Sequence, residues 1–201
     1  MQILRYNALH KEDTNQESHL MARITQITER NQVDDDKQHI FDSIATSRGR
    51  VSGPFSVLLN SPEVAGRAAH LGAYIRFEST LTPDQRELAI ITTAREFDCA
   101  YEWAAHATLA REAGVRESAI EIIANGGELS DLTEDEALIV GYGREILRDH
   151  RVSEDTFAAA KSQFGEQGVT ELTATYGYYG MLACALNAFE VSPSPDMPQL
   201  P

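Results

Sequence analysis

Glu87, Cys99, Glu102 and His106 are the residues whose types and spacing could do chemistry. On a helix beginning near Asp98, Cys99, Glu102 and His106 stand at i, i+3 and i+7, so a thiol, a carboxylate and an imidazole share one stripe. Imidazole titrates closest to neutral pH and can deliver or accept a proton at carbon or oxygen, which makes His106 the candidate general acid or base. Glu102 either orients and charges His106 or acts as a base itself. On the preceding helix Glu87 shares a face with Ile90, Ile91 and Ala94, and a carboxylate among apolar neighbours tends to have a raised pKa. Cys99, near a helix N-terminus and an imidazole, is placed where a thiol pKa is lowered and a reactive thiolate results. It has no partner thiol, and a lone helical cysteine is ordinarily a packing residue. Cys184, between Ala183 and Ala185, reads as packing. Glu87, Glu102 and His106 could also hold a metal, but one histidine with two carboxylates and no His-x-x-x-His is a weak ligand set, so none is expected.

Binding groups come from elsewhere. Arg48-Gly49-Arg50-Val51-Ser52-Gly53-Pro54 is a turn-rich connection with two guanidinium groups, and with Arg76 it supplies forks suited to bidentate pairing with a carboxylate. Trp103 is the aromatic candidate for a substrate wall, although core or interface is the ordinary place for it and for Tyr101. The Tyr176-Gly177-Tyr178-Tyr179 cluster reads mostly as core, with one phenol able to line a pocket.

The elements that must position these groups are helices. Acidic Asp34-Asp35-Asp36 precedes Ile40, Phe41 and Ile44 at helical spacing, which suits a helix N-terminus. Ser61-Pro62-Glu63 opens a helix expected to bury Val64, Ala68, Leu71 and Ile75. Thr82-Pro83-Asp84-Gln85 carries a capping box with Pro at the first helical position, and Thr133-Glu134-Asp135-Glu136 carries a second box. Between them Gly114 ends the Cys99 helix, and a short helix from Arg116 to Asn125 stops at Gly126-Gly127. Ser153 caps a helix holding Phe157 and Phe164. Gly168 is expected to precede a long, nearly uncharged helix from about Val169 to Phe189, apolar nearly all round and therefore buried in the core or between subunits. No alternating pattern suggests a strand, so the fold class is all-α. The expected organisation is a polar N-terminal arm over 1–33, loosely ordered at 1–20, a single helical domain over 34–191 and a Pro-rich extended tail over 192–201.

With 201 residues, 42% hydrophobic and 24% charged, the chain is long enough for one substantial core and outside the range of wholesale disorder. A formal net charge of -14 and a pI near 4.8 set up a field that repels nucleic acid and anionic membranes. A small anionic substrate is compatible with that field, because a few pocket arginines reverse its sign locally within a screening length of roughly 8–10 Å. Two cysteines make no disulfide framework, and the first twenty residues make no secretory signal, so a reducing, cytoplasmic setting is expected.

Glu87, eleven residues, Cys99, two residues, Glu102, three residues, His106 resembles the proton-relay and thiol motif of the carboxymuconolactone decarboxylase and AhpD-like superfamily. The resemblance runs from about Arg48 to Val191. In the redox branch the motif reads Glu…Cys-x-x-Cys-x-x-x-His; here Glu102 stands where the second cysteine would be, so the likeness is closer to the decarboxylase branch. It implies an AhpD-like helical bundle that forms a trimer or hexamer. The first activity it implies is decarboxylation of a small carboxylated lactone without metal or organic cofactor, with Arg48, Arg50 and Arg76 holding carboxylates and His106, backed by Glu87 or Glu102, protonating carbon. The second is a thiol peroxidase in which Glu87 and His106 relay a proton to or from Cys99. A third is a non-catalytic member that keeps only the scaffold.

Overall fold

The computed structural model describes residues 22–201, and among these there is no strand. Eight helices follow in order: α1 Gln38–Arg48, α2 Pro54–Leu58, α3 Pro62–Phe77, α4 Pro83–Glu96, α5 Ala100–Glu112, α6 Glu117–Ala124, α7 Glu134–Arg144 and α8 Glu154–Ala188. No helix of the described residues is long and apolar enough to cross a membrane. The expectation of a loose arm over residues 1–20 lies outside the described residues.

The centre of the bundle is α4, which packs against α5, α6, α7 and α8. Its start is the Thr82/Gln85 capping box, in which the Thr82 N–H donates to the Gln85 side chain at 3.1 Å. Every residue from Glu87 to Ala94 is buried, so this helix has no outer face over two turns. That burial leaves the hydroxyls of Thr92 and Thr93 with no water, and they donate back to the carbonyls of Leu88 and Ala89 at 2.8 and 2.9 Å. Ile90 and Ile91 have no exposure at all, which contributes about 1.5–3 kcal/mol each.

On α1 and α6 the expected residues Ile40, Phe41, Ile44, Ile120, Ile123 and Ala124 are buried, and α3 buries only half of its expected face, Ala68 and Ile75. On α3 the inward residues are Ala65, Ala68, Ala69, Gly72 and Ile75, whereas Val64 and Leu71 face out. Small residues face in because α1, α2 and α8 all approach α3 closely. The break before the final helix lies at Gly165, where φ 69° and ψ -177° split α8 into a shorter segment 154–164 and a longer one 166–188. Gly168 is helical and tightly packed instead, since a Cβ there would sit 2.7 Å from that of Phe164. The Cys99 helix begins at Ala100, with Cys99 as its extended N-cap and Asp98 left-handed at φ 47°. Its apolar residues are covered within the chain, so the exposed large apolar side chains are on α3 and α8 rather than on α5.

The chain flanking this bundle is tied to it. Ile27 and Val33, inside the stretch read as a polar arm, are buried, and the Arg23 and Ile27 N–H groups donate to the carbonyls of Phe189 and Ser56 at 2.8 Å each.

Candidate functional site

Glu87 on α4 and His106 on α5 meet where these two helices pack. His106 Nδ1 lies 2.7 Å from Glu87 Oε2, with both residues buried. An ionised carboxylate can only accept, so Nδ1 carries the hydrogen and Nε2 is turned the other way. There it lies 3.4 Å from Glu102 Oε2, one turn back on the same helix. The ring of Tyr179 from α8 meets the imidazole edge to face at 5.1 Å and 83°, which fixes its tilt.

Glu102 is the least satisfied member of the group. Its side chain is buried, its Oε1 has no hydrogen-bond partner, and burial pushes its carboxyl above the usual carboxylate range. His106 and Arg76 pull it back, while Glu87 pushes in the same direction as burial. A carboxyl with a raised pKa and an unused oxygen is suited to give a proton to a bound molecule. Arg86, beside Glu87, has its buried Nε 3.8 Å from Glu87 Oε1 and without a hydrogen bond.

These groups open into a cavity of about 280 Å³. Arg48, Arg50 and Arg76 line it together with Glu102, His106, Tyr101, Tyr178 and Tyr179. Arg48 is held by α3 and α2: its Nη2 donates to the Ala69 carbonyl at 3.2 Å and its guanidinium lies 4.1 Å over the Phe55 ring. Two glycines make room for the phenols. A Cβ on Gly72 would fall 2.0 Å from the Tyr178 hydroxyl oxygen, and one on Gly53 would fall 2.6 Å from the Tyr101 ring. Burial raises both phenol pKa values, so they stay neutral hydroxyl donors.

The structure thus brings His106, Glu102, Arg48, Arg50 and Arg76 to one cavity and puts Glu87 directly behind His106. Trp103 is elsewhere: it is buried in the core with Ala107, Ala110 and Ile120, and does not line the cavity. Cys99 is also elsewhere, fully buried with Val57, Ala183, Leu186 and Val191. The low thiol pKa expected from its position does not arise. Burial pushes the thiol up to about 11, outweighing the backbone hydrogen bonds from Glu102 and Tyr101. Cys184, read as packing, is exposed. The cavity residues that spacing did not point to are Phe55, Tyr101, Ala105, Leu182 and Met197. Tyr101 enters the cavity beside Gly53, whose missing side chain admits the ring, a contact across 48 residues that the sequence does not signal. Among the described residues, no group of three or more His, Cys, Asp or Glu side chains is arranged to hold a metal ion.

Residues 62–136 match the carboxymuconolactone decarboxylase family. No curated protein matches the chain in sequence. In fold it is similar to the alkylhydroperoxidase AhpD core of an uncharacterized peroxidase-related protein from Ralstonia eutropha, with a TM-score of 0.71 at 17% identity over 88% of this chain and 94% of that one. It is also similar to an uncharacterized peroxidase-related protein from a Silicibacter species, with a TM-score of 0.66 at 15% identity over 82% and 87%. The superfamily resemblance read from the motif is borne out; at such identities the likeness is one of fold, not of reaction.

Proposed function

From the premise of an AhpD-like helical protein with a carboxymuconolactone decarboxylase segment at 62–136, we propose that the chain catalyses cofactor-independent proton transfer coupled to decarboxylation of a small carboxylated lactone or similar anion. The observation that carries this reading is Glu102: a buried carboxyl with raised pKa and an unpartnered oxygen, facing a cavity rimmed by three arginines. Arg48, Arg50 and Arg76 hold the substrate carboxylate groups, and Tyr101 or Tyr178 donates to the oxygen on which charge develops. As carbon dioxide leaves, the electron pair of the broken carbon–carbon bond moves into the conjugated carbonyl. Glu102, directly or through His106 Nε2, then gives a proton to carbon, and solvent restores it. Glu87 holds the imidazole in the tautomer and tilt this requires.

Peroxide chemistry, which the names of the similar structures suggest, needs an accessible thiolate and a resolving group. Cys99 is buried with a pKa near 11, and Glu102 occupies the position of a second thiol, so the cavity supports proton transfer better. The chain also forms a homo-oligomer in this reading, supported by exposed apolar side chains on α3 and α8. The test is release of carbon dioxide from a panel of small carboxylated lactones by the wild-type chain and by His106→Ala. Turnover that His106→Ala retains in full would overturn the assignment.

A further inference from the structure

Residues 192–201 read as a Pro-rich extended tail, and they return to the site. Met197 lines the same cavity as the three arginines, and Leu200 packs against the larger core cluster. Met197, Pro198 and Leu200 are half-buried, whereas Ser194, Pro195 and Asp196 stay in solvent. A local turn holds this shape: the Met197 N–H donates to the Ser194 carbonyl at 3.1 Å, the Ser194 hydroxyl donates to the Asp196 carboxylate, and the Gln199 amide donates to the Met197 carbonyl at 2.7 Å. The root of the tail is fixed as well, since Val191 is buried and its N–H donates to the Leu186 carbonyl at 2.9 Å. The segment is therefore anchored at Val191 and at Leu200, with Met197 placed over the cavity between them. Pro193, Pro195 and Pro198 restrict its backbone, which lowers the entropy lost in holding it there.

We propose that residues 192–201 form a strap over the cavity mouth and that Met197 sets which ligands fit. The cavity is lined by guanidinium groups and by the apolar side chains of Met197 and Leu182, with the Phe55 ring beneath the Arg48 guanidinium. It selects compact anions that carry an apolar body, and at about 280 Å³ it is at the small end of ligand sites, so a bulkier ligand must displace the thioether. The ligand class rests on the proton-transfer reading above; the strap does not.

The experiment follows access to His106, which is 6% exposed, and needs no substrate. Diethylpyrocarbonate modification is measured residue by residue by mass spectrometry in the full chain, in a chain ending at Ser192, and in full-length Leu200→Asp and Met197→Gly. Modification of His106 is expected to rise on the order of tenfold when the strap is cut or released, as for a locally opened segment, while exposed His39 and His70 react as before. Equal His106 rates in the wild-type chain and the variants that remain folded by circular dichroism would overturn the strap; Met197→Gly removes only one half-buried side chain and keeps this comparison available. The ligand class is tested by protection of His106 with benzoate and with acetate. Benzoate is expected to protect at lower concentration in the wild-type chain, and Met197→Asp to weaken it by about tenfold, equivalent to 1.4 kcal/mol. Equal protection by both anions would overturn the role of Met197. A released strap with no protection by either anion would overturn the anion-site reading and leave the strap standing.

Discussion

Glu102 occupies the position on the α5 stripe where a carboxyl is both buried and only half satisfied, and the residue-scale predictions turn on it. Glu102→Gln keeps the shape and removes the proton, so the chemical step is expected to fall by about 10²–10⁴-fold in a single-turnover assay. Because burial raises its pKa, the acid form persists to higher pH than for an ordinary glutamate, and activity falls as pH rises through that raised value. That limb of the pH profile should disappear in Glu102→Gln. Cys99→Ser is expected to leave the chemical step nearly unchanged, and in the native protein at pH 8 an alkylating reagent should label Cys184 and spare Cys99. Complete loss of carbon dioxide release in Cys99→Ser would refute its role as a bystander. The pairing of His106 with Glu87 followed from the family resemblance, and that with Glu102 was legible because type and spacing point the same way. Trp103 was not, since one residue past Glu102 is a rotation of about 100° on a helix, enough to turn a side chain from cavity to core. Nor was the state of Cys99, because the spacing reads its distance from the helix end while the raised pKa depends on what α8 packs over it.

The elements that shape the cavity are joined by one carboxylate. Glu171 on α8 accepts from the Tyr74 hydroxyl at 2.6 Å, from the Thr80 N–H at 2.7 Å and hydroxyl at 2.5 Å, and from the Gln167 amide at 3.0 Å, tying the end of α3 and the α3–α4 connection to α8. Burial pushes its pKa up, but these donors outweigh burial and bring it to about 2. A folded-state pKa below the unfolded value means the stabilisation is present above about pH 4.3 and is lost as pH falls towards 2. Glu171→Gln is therefore expected to cost about 1–3 kcal/mol in urea denaturation at pH 7, with the difference from wild type shrinking through that window. An unchanged difference at pH 2.5 would remove the carboxylate as its source. Gly72→Ala, which forces a methyl towards the Tyr178 hydroxyl, should cost about 1–3 kcal/mol by overpacking and displace that phenol from the cavity. At this scale the capping boxes at Thr82 and Thr133 were readable, since each cap is set by residues within one turn of it. The inward face of α3 was readable only in part, at Ala68 and Ile75. Hydropathy favoured Val64 and Leu71, but the approach of three helices favours alanine and glycine, and that approach is decided by tertiary packing.

At the scale of the whole molecule, the fold leaves an apolar face that the described residues do not cover. Val64, Leu71, Tyr74 and Phe77 on α3 are 47%, 45%, 37% and 64% exposed, and Met181 on α8 is 39% exposed. Leu71, Tyr74, Ile75, Thr170 and Ala174 line a groove between the two helices together with Gln167 and the carboxylates of Glu166 and Glu171, while the sequence from Leu172 to Phe189 contains no charged residue. All-α class and burial of one side of this last helix followed from its composition; the exposure of its other side did not, because an apolar helix reads alike whether its cover is the same chain or another. A chain of net charge -14 repels its copies at long range, so association must use a face where apolar contact outweighs that repulsion. A second copy of the chain meets this condition on α3 and α8, and a homo-oligomer is expected at micromolar concentration. Added salt should strengthen it, since screening weakens the repulsion between copies more than it weakens an apolar contact. Leu71→Arg places a cation in the centre of the groove at a position already exposed, so the fold should survive while the assembly dissociates. Sedimentation velocity of wild type and Leu71→Arg at low and moderate salt checks this: a monomeric wild type at both salts would refute self-association, and an unchanged oligomer in the variant would place the interface elsewhere.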